Sequence, residues 1–211
     1  MIRSRPCAAV QLIAAAGLSG FYPSRAYYSH RQEAASIDRY ISTAQRTLSM
    51  VSINLRTGLP IDGILDVLDK KLGTRDSTFR VTISLLDPAR RGLMEAVAPA
   101  LSLEPQELSL DIANTVTKLL QFRNSLEDDV RPRLRLRLHA AVPFGSVIML
   151  DELENDGRIQ VETKAYRAPG RKSFAFELVS SGADEDLYHT LRVAYQQLID
   201  DGRDMESTST A

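Results

Sequence analysis

The chain has 211 residues, 44% of them hydrophobic, with 26 basic and 27 acidic side chains and a formal net charge of −1. That length and apolar content fill one domain's core and exclude a disordered or fibrous chain, while the balance of charge excludes an overall field steering it to nucleic acid. A single cysteine, Cys7, with no C-x-x-C partner excludes an internal disulfide and fits a reducing, cytoplasmic compartment.

At the N-terminus Arg3 and Arg5 precede the apolar run 7–16, and no acid appears before Glu33. A targeting peptide has this outline, but Gln11 interrupts a run too short to span a bilayer, so residues 1–18 read as a buried helix with no membrane span. Tyr22 and Arg25 then flank Pro23 and Ser24 in a segment expected to be a loop. Ile37, Tyr40, Ile41, Ala44 and Leu48 recur at helical spacing, and residues 50–55 alternate as a strand.

Thr57-Gly58-Leu59-Pro60 breaks the pattern, and Ile61, Ile64, Leu65, Leu68 and Leu72 make a second helical stripe ended by Gly73. Residues 79–86 are β-branched and apolar, a strand stopped by Asp87-Pro88. Residues 50–87 thus predict a strand, helix, strand crossover, whose two strands must be parallel. Ligands gather beyond the carboxyl ends of such strands, and those ends carry Asn54, Arg56 and Asp87.

Helices are expected over 90–101 and 107–126, the second with Leu108, Ile112, Val116, Leu119 and Leu120 on one face. After Pro132 the alternation is strict: Leu134, Leu136 and Leu138 take one face, Arg133, Arg135, Arg137 and His139 the other. The arginine row reads either as a charged edge strand or as a phosphate-binding surface. Further strands are expected over 146–150, 158–166 and 173–179, then a helix burying Leu187, Leu191, Ala194, Tyr195 and Leu198, and a disordered tail over 202–211. The prediction is an α/β domain over 1–201, a mixed, mostly parallel sheet flanked by helices.

The sequence contains no P-loop, no G-x-G-x-x-G after a strand, no G-x-S-x-G and no zinc-ligand cluster, so no metal or other cofactor is expected. Of three histidines, His139 is best placed for chemistry, with Asp151 as its acidic companion, against a plain reading of each as a strand-end or turn residue.

Pro143-Phe144-Gly145-Ser146-Val147-Ile148-Met149-Leu150-Asp151 lies in register with H-x-K-x4-D, and the order of elements is similar to one half of the phospholipase-D-like superfamily. The Gly20-Phe21-Tyr22-Pro23-Ser24-Arg25 opening resembles a bacterial branch of it. In that superfamily the motif His attacks a phosphodiester, a second His from the partner half protonates the leaving group, and the Lys balances phosphoryl charge. Here Asp151 matches the acid, but Phe144 and Ser146 replace the His and Lys. The resemblance therefore implies a non-catalytic or altered domain that binds a ligand or partner, in a stress or defence context. It also implies a homodimer meeting at a sheet edge near the Ser146 strand. The expected ligand side chains are Tyr22, Arg25, Asn54, Arg56, Asp87 and Ser146, facing a phosphate-bearing molecule or nucleotide. A phosphodiesterase or nuclease using His139 and Asp151, and a structural subunit with a protein partner, are the competing readings.

Overall fold

The structure is a computed structural model that describes residues 16–23, 36–56, 60–74, 78–163, 165–168, 172–182 and 186–205. Its strands are β1 (Leu18–Tyr22), β2 (Thr47–Ser52), β3 (Arg80–Leu86), β4 (Leu134–His139), β5 (Ser146–Leu150), β6 (Arg158–Thr163), β7 (Phe174–Val179) and β8 (Arg203–Asp204). Its helices are α1 (Ile37–Ser42), α2 (Ile61–Leu72), α3 (Arg91–Leu101), α4 (Pro105–Ser125) and α5 (Leu187–Asp200). The strands form one mixed sheet in the order β1-β7-β6-β5-β2-β3-β4-β8.

The predicted crossover is present, with β2, α2 and a parallel β3, and β4 joins parallel to β3 after α3 and α4. The sheet is nevertheless not mostly parallel. Among the described residues only those two pairings are parallel, whereas β5 to β2, β6 to β5, β7 to β6, β1 to β7 and β8 to β4 are antiparallel. The cause is the length of the later connections: a dozen or more residues are needed to return a chain for parallel pairing, and those from β4 through β7 are too short.

The sheet separates two cores. On one face Leu48, Met50, Ile83, Leu85, Leu136 and Ile148 meet Ile41, Ile64, Leu68, Ile112 and Leu119 of α1, α2 and α4. On the other, Val51, Val147, Met149, Ile159, Val161 and Leu178 meet Tyr188, Tyr195 and Ile199 of α5. Each such side chain contributes about 1.5–3 kcal/mol by leaving water. The alternation of β4 behaves as expected, with Leu134, Leu136 and Leu138 in the first core.

Several expectations need correction. The helix read through Leu48 ends at Ser42, and Leu48 belongs to β2. The main-chain N–H groups of Gln45, Arg46 and Thr47 are drawn off by the Asp151 carboxylate instead of continuing a helical ladder. Tyr22 ends a strand instead of sitting in a loop, because β1 adds to β7 in register with Phe176 and Ala175. Of the N-terminal helix, residues 1–15 lie outside the described residues, while Gly17, at φ 70°, turns the chain into β1.

The buried face of α5 is Tyr188, Tyr195 and Ile199, and Leu187 is exposed. The tyrosine hydroxyls fix this rotation by donating to the carbonyls of Glu152 and Gly145. The tail begins later than expected: Gly202 to Met205 are ordered, β8 pairs with β4 and Met205 is buried, while residues 206–211 lie outside the described residues. Finally, β5 lies inside the sheet between β2 and β6, so a dimer cannot form by strand pairing at Ser146.

Candidate functional site

Beyond the carboxyl end of β2 lies a cleft of about 870 Å³. One wall is the end of α3, with Val97, Ala100 and Leu101; the other is the approach to β5, with Val142, Phe144 and Ser146; the loop after β6 closes the third side with Tyr166 and Arg167. Asn54 and Arg56 lie at its base, so three of the expected ligand residues, Asn54, Arg56 and Ser146, share one cleft.

The turn after β2 is tightly made. Leu55 is buried at φ 60°, a conformation costing a non-glycine residue about 1–3 kcal/mol. Its N–H donates to Ser52 Oγ at 3.1 Å, and the Ser52 and Ser146 hydroxyls share a hydrogen bond of 3.0 Å. The end of β2 is thereby tied to the start of β5. Beside them Asn54 Nδ2 and Arg56 Nη2 donate to the two oxygens of Asp111 at 2.7 and 2.8 Å. Asp111 thus anchors the base of the cleft from α4, and sequence reasoning missed it because its partners are more than fifty residues away.

Arg167 was missed as well. Its main-chain N–H donates to the Ala100 carbonyl at 3.0 Å and its Nε to the Pro99 carbonyl at 3.3 Å, docking the loop on the last turn of α3. Its guanidinium lies 5.2 Å from the centre of the Tyr166 ring. The only local signal was the turn-forming Ala-Pro-Gly that follows it.

Gly145 sets the fit between β5 and β6. A Cβ there would come within 2.6 Å of the Glu162 carbonyl oxygen, and its own N–H and C=O are both engaged by the Tyr195 hydroxyl. Gly145→Ala should therefore push Phe144 and Ser146 out of place at a cost of about 1–3 kcal/mol, seen as a lower Tm; an unchanged Tm would mean that β6 yields freely.

Of the remaining expected residues, Asp87 and Tyr22 do not line the cleft. Asp87 accepts from Arg203 Nε and Nη2 at 2.9 Å each and from the Ala89 N–H at 3.1 Å. Burial alone would raise its pKa, but the Arg203 hydrogen bond leads the effects that hold it below the ordinary carboxylate value. Tyr22 ends β1, its hydroxyl 2.8 Å from where a Gly20 Cβ would stand, so the glycine two residues earlier makes room for the ring. Arg25 lies outside the described residues.

His139 and Asp151 are not a catalytic pair. His139 ends β4 beside Leu86, whereas Asp151 follows β5 at the amino end of β2, its N–H donating to the Thr47 carbonyl. Three strand spacings and a strand length separate them, on the order of 20 Å. The His139 ring is buried, with Nδ1 3.0 Å from Ser84 Oγ. The arginine row is likewise divided: Arg137 is buried and holds the carbonyls that end α5, while Arg135 pairs with Asp200 at the surface.

Burial drives the His139 pKa down to about 4, against a smaller opposing pull from Asp87. Between pH about 6.5 and about 4 the unfolded chain takes up this proton and the folded one does not, so stability falls as pH falls through that window. His139→Asn should remove this part of the acid sensitivity, on the order of 2 kcal/mol. Denaturant titrations should then show the gap between wild type and variant narrowing towards pH 4.5; a constant gap would refute the assignment.

No family model and no curated protein matches the chain. Among solved structures, a phosphatidylserine synthase from Haemophilus influenzae superposes with a TM-score of 0.51 at 13% identity, over 84% of this chain and 36% of its own. The fold is phospholipase-D-like. The chain spans about a third of the synthase's length. A phospholipase D family member from Salmonella typhimurium is similar over 81% of this chain and 89% of its own (13% identity, TM-score 0.44). An archaeal chromatin protein, described as showing a novel mode of DNA binding, is similar over 93% and 59% (9% identity, TM-score 0.46). Within this phospholipase-D-like sheet the Phe144-Gly145-Ser146 segment enters β5 at the cleft, and Asp151 follows the far end of the same strand.

Proposed function

We propose that this phospholipase-D-like domain binds a phosphate-bearing ligand in the cleft between Asn54, Ser146 and Arg167 and does not turn it over. The observation that carries the reading is the cleft itself. Arg167 on its wall and the Ser146 hydroxyl line it together with Asn54 and Arg56, which Asp111 holds at the base, residue types suited to phosphoryl oxygens. Among the described residues no imidazole lines it: His139 is buried on β4, and His189 lies on α5, where its main-chain N–H donates to Asp186. Phe144, at the position where the resemblance puts the nucleophile, can neither attack phosphorus nor carry a proton, and the Ser146 hydroxyl brings no positive charge.

Thermal unfolding and calorimetry against nucleotides, short oligonucleotides and glycerophosphoryl headgroups test this. A ligand at a hundred times its Kd adds about 2.7 kcal/mol of stability, a rise in Tm of several degrees. Arg167→Glu should abolish the rise. No stabilisation by any of these ligands would defeat the reading, and cleavage of a chromogenic phosphodiester by the purified wild type would replace it with an enzymatic one.

A further inference from the structure

At the end of the sheet opposite the cleft, a second groove of about 760 Å³ lies between α1 and α2, lined also by Ala44 and Gln45 ahead of β2 and Phe79 ahead of β3. Three cations face one acid in it: Arg39 from α1 and Lys70 and Lys71 from α2, against Asp38. A hydrogen bond from the Ser36 side chain leads the effects that hold the Asp38 carboxyl below its ordinary pKa, so that acid already has a partner. The cations do not: among the described residues none of the three meets a carboxylate, although Arg46, Arg56, Lys118 and Arg135 each do. Nor do the helix ends occupy them. The last carbonyls of a helix need donors, but those of α1 accept from the hydroxyls of Ser42 and Thr43 and the Ala44 N–H, and those of α2 from the Gly73 N–H, the Thr74 hydroxyl and the Arg133 guanidinium.

We infer that this groove binds a small oligophosphate anion, a chain of linked phosphoryl groups, at a site separate from the cleft. The inference goes beyond the cleft reading and does not rest on it. A last-turn position beside the helix dipole accounts for Lys70, but not for Lys71. Lys71 is drawn in until its ammonium lies 4.8 Å from the centre of the Phe79 ring and donates to the Ala44 carbonyl at 2.5 Å. That uses one of its three N–H groups. Burial lowers its pKa against an opposing pull from Asp151, and a partly dehydrated ammonium gains more from an anion than one in open water. Three cations against a single engaged acid favour a multiply charged ligand over a monoanion. The volume falls within the range of small-ligand sites, about 300–1,000 Å³. Phe79, the one aromatic side chain that lines the groove among the described residues, is buried beneath Lys71 and offers no face to a base. The ligand is therefore read by its charge.

Titration of the isotope-labelled full chain with sodium tripolyphosphate, followed by amide chemical shifts at about 50 mM salt without divalent cations, tests the site. The shifts of Arg39, Gln45 and Lys70 should saturate with a Kd below about 1 mM, and inorganic phosphate should bind at least ~10-fold more weakly. Arg39→Gln combined with Lys70→Gln removes two exposed charges, so the Tm should hold while affinity falls at least ~10-fold. Arg167→Glu in the cleft should leave these shifts intact. A second readout needs no variant: in wild type, tripolyphosphate should shield Lys71 from trace acetylation several-fold, whereas Lys118, paired with Asp62, keeps its rate. Equal affinity for tripolyphosphate and adenosine triphosphate would support a free chain as the ligand, and tighter binding of the nucleotide a chain carried on a nucleoside. The inference is overturned by the absence of saturable shifts at millimolar tripolyphosphate, by shifts confined to Ser146 and Arg167, or by undiminished binding in the double variant. Binding of a single-stranded oligonucleotide without any of tripolyphosphate would overturn it too, and would make the groove part of a nucleic-acid contact. Failure of ligand binding in the cleft leaves this result standing, and an empty groove leaves the cleft reading untouched.

Discussion

Replacing Asp151 by alanine should lower the unfolding free energy by about 3–5 kcal/mol, a fall in Tm on the order of 10 °C for a chain of this size. The carboxylate is buried and accepts three consecutive main-chain N–H groups: Gln45 at 2.8 Å, Arg46 at 2.6 Å and Thr47 at 2.9 Å. These donors occupy the turn between α1 and β2, and without the carboxylate they have no acceptor of matching geometry. Asp151→Asn keeps one oxygen but turns an NH2 towards a cluster of donors, so it should recover less than half of the loss. The left-handed backbone of Asp151, φ 49°, is one that asparagine tolerates, which makes Asn the cleaner comparison. Equilibrium denaturation of the three proteins measures the effect; a change below about 1 kcal/mol for Asp151→Ala would show that water replaces the carboxylate at no cost.

The same residue shows how far the sequence could be read. Its place after an apolar strand was legible, and so were the crossover through β2, α2 and β3, the alternation of β4 and the strands that follow, because each is a local periodicity. What Asp151 holds was not legible, since its partners lie over a hundred residues earlier and bond through main-chain groups that carry no sequence signal. The cleft divided along the same line. Asn54, Arg56 and Ser146 were found from the rule that ligands gather at strand ends, and the structure brings them together. Asp87 satisfies that rule too, but β8 arrives beside it and Arg203 claims the carboxylate. The tail was read as polar and structureless, and nothing in its composition announced a strand of two residues. Asp111 and Arg167 carried no local signal; the fold sets Asp111 against Asn54 and Arg56 and Arg167 on the wall of the cleft.

Arg137 is the second residue whose loss should be severe, at about 3–4 kcal/mol for Arg137→Met. Nearly all of its side chain is buried, and its donors are all directed at the end of the chain. Nε reaches the Ile199 carbonyl at 3.2 Å, Nη2 the carbonyls of Asp200, at 3.1 Å, and Gly202, and Nη1 the Asp204 carboxylate at 2.6 Å. The last carbonyls of a helix have no partners within it, and here a planar guanidinium supplies them while its charge opposes the helix dipole. Methionine matches the length of the side chain but offers no donor, so the carbonyls of Asp200 and Gly202 lose the guanidinium and that of Ile199 keeps only the Gly202 N–H. Lysine keeps the charge but lacks the fork that serves several acceptors at once, so Arg137→Lys should fail almost as badly. The damage should be local first. Amide exchange of residues 199–205 should rise before that of β2 and β3, because without Arg137 the end of the chain keeps only the short pairing of β8 with β4, the Arg203 to Asp87 bridge and the docking of Met205 beside Leu136. Exchange that rises evenly across the sheet would instead make Arg137 a part of the global core, with no special hold on the C-terminal strand.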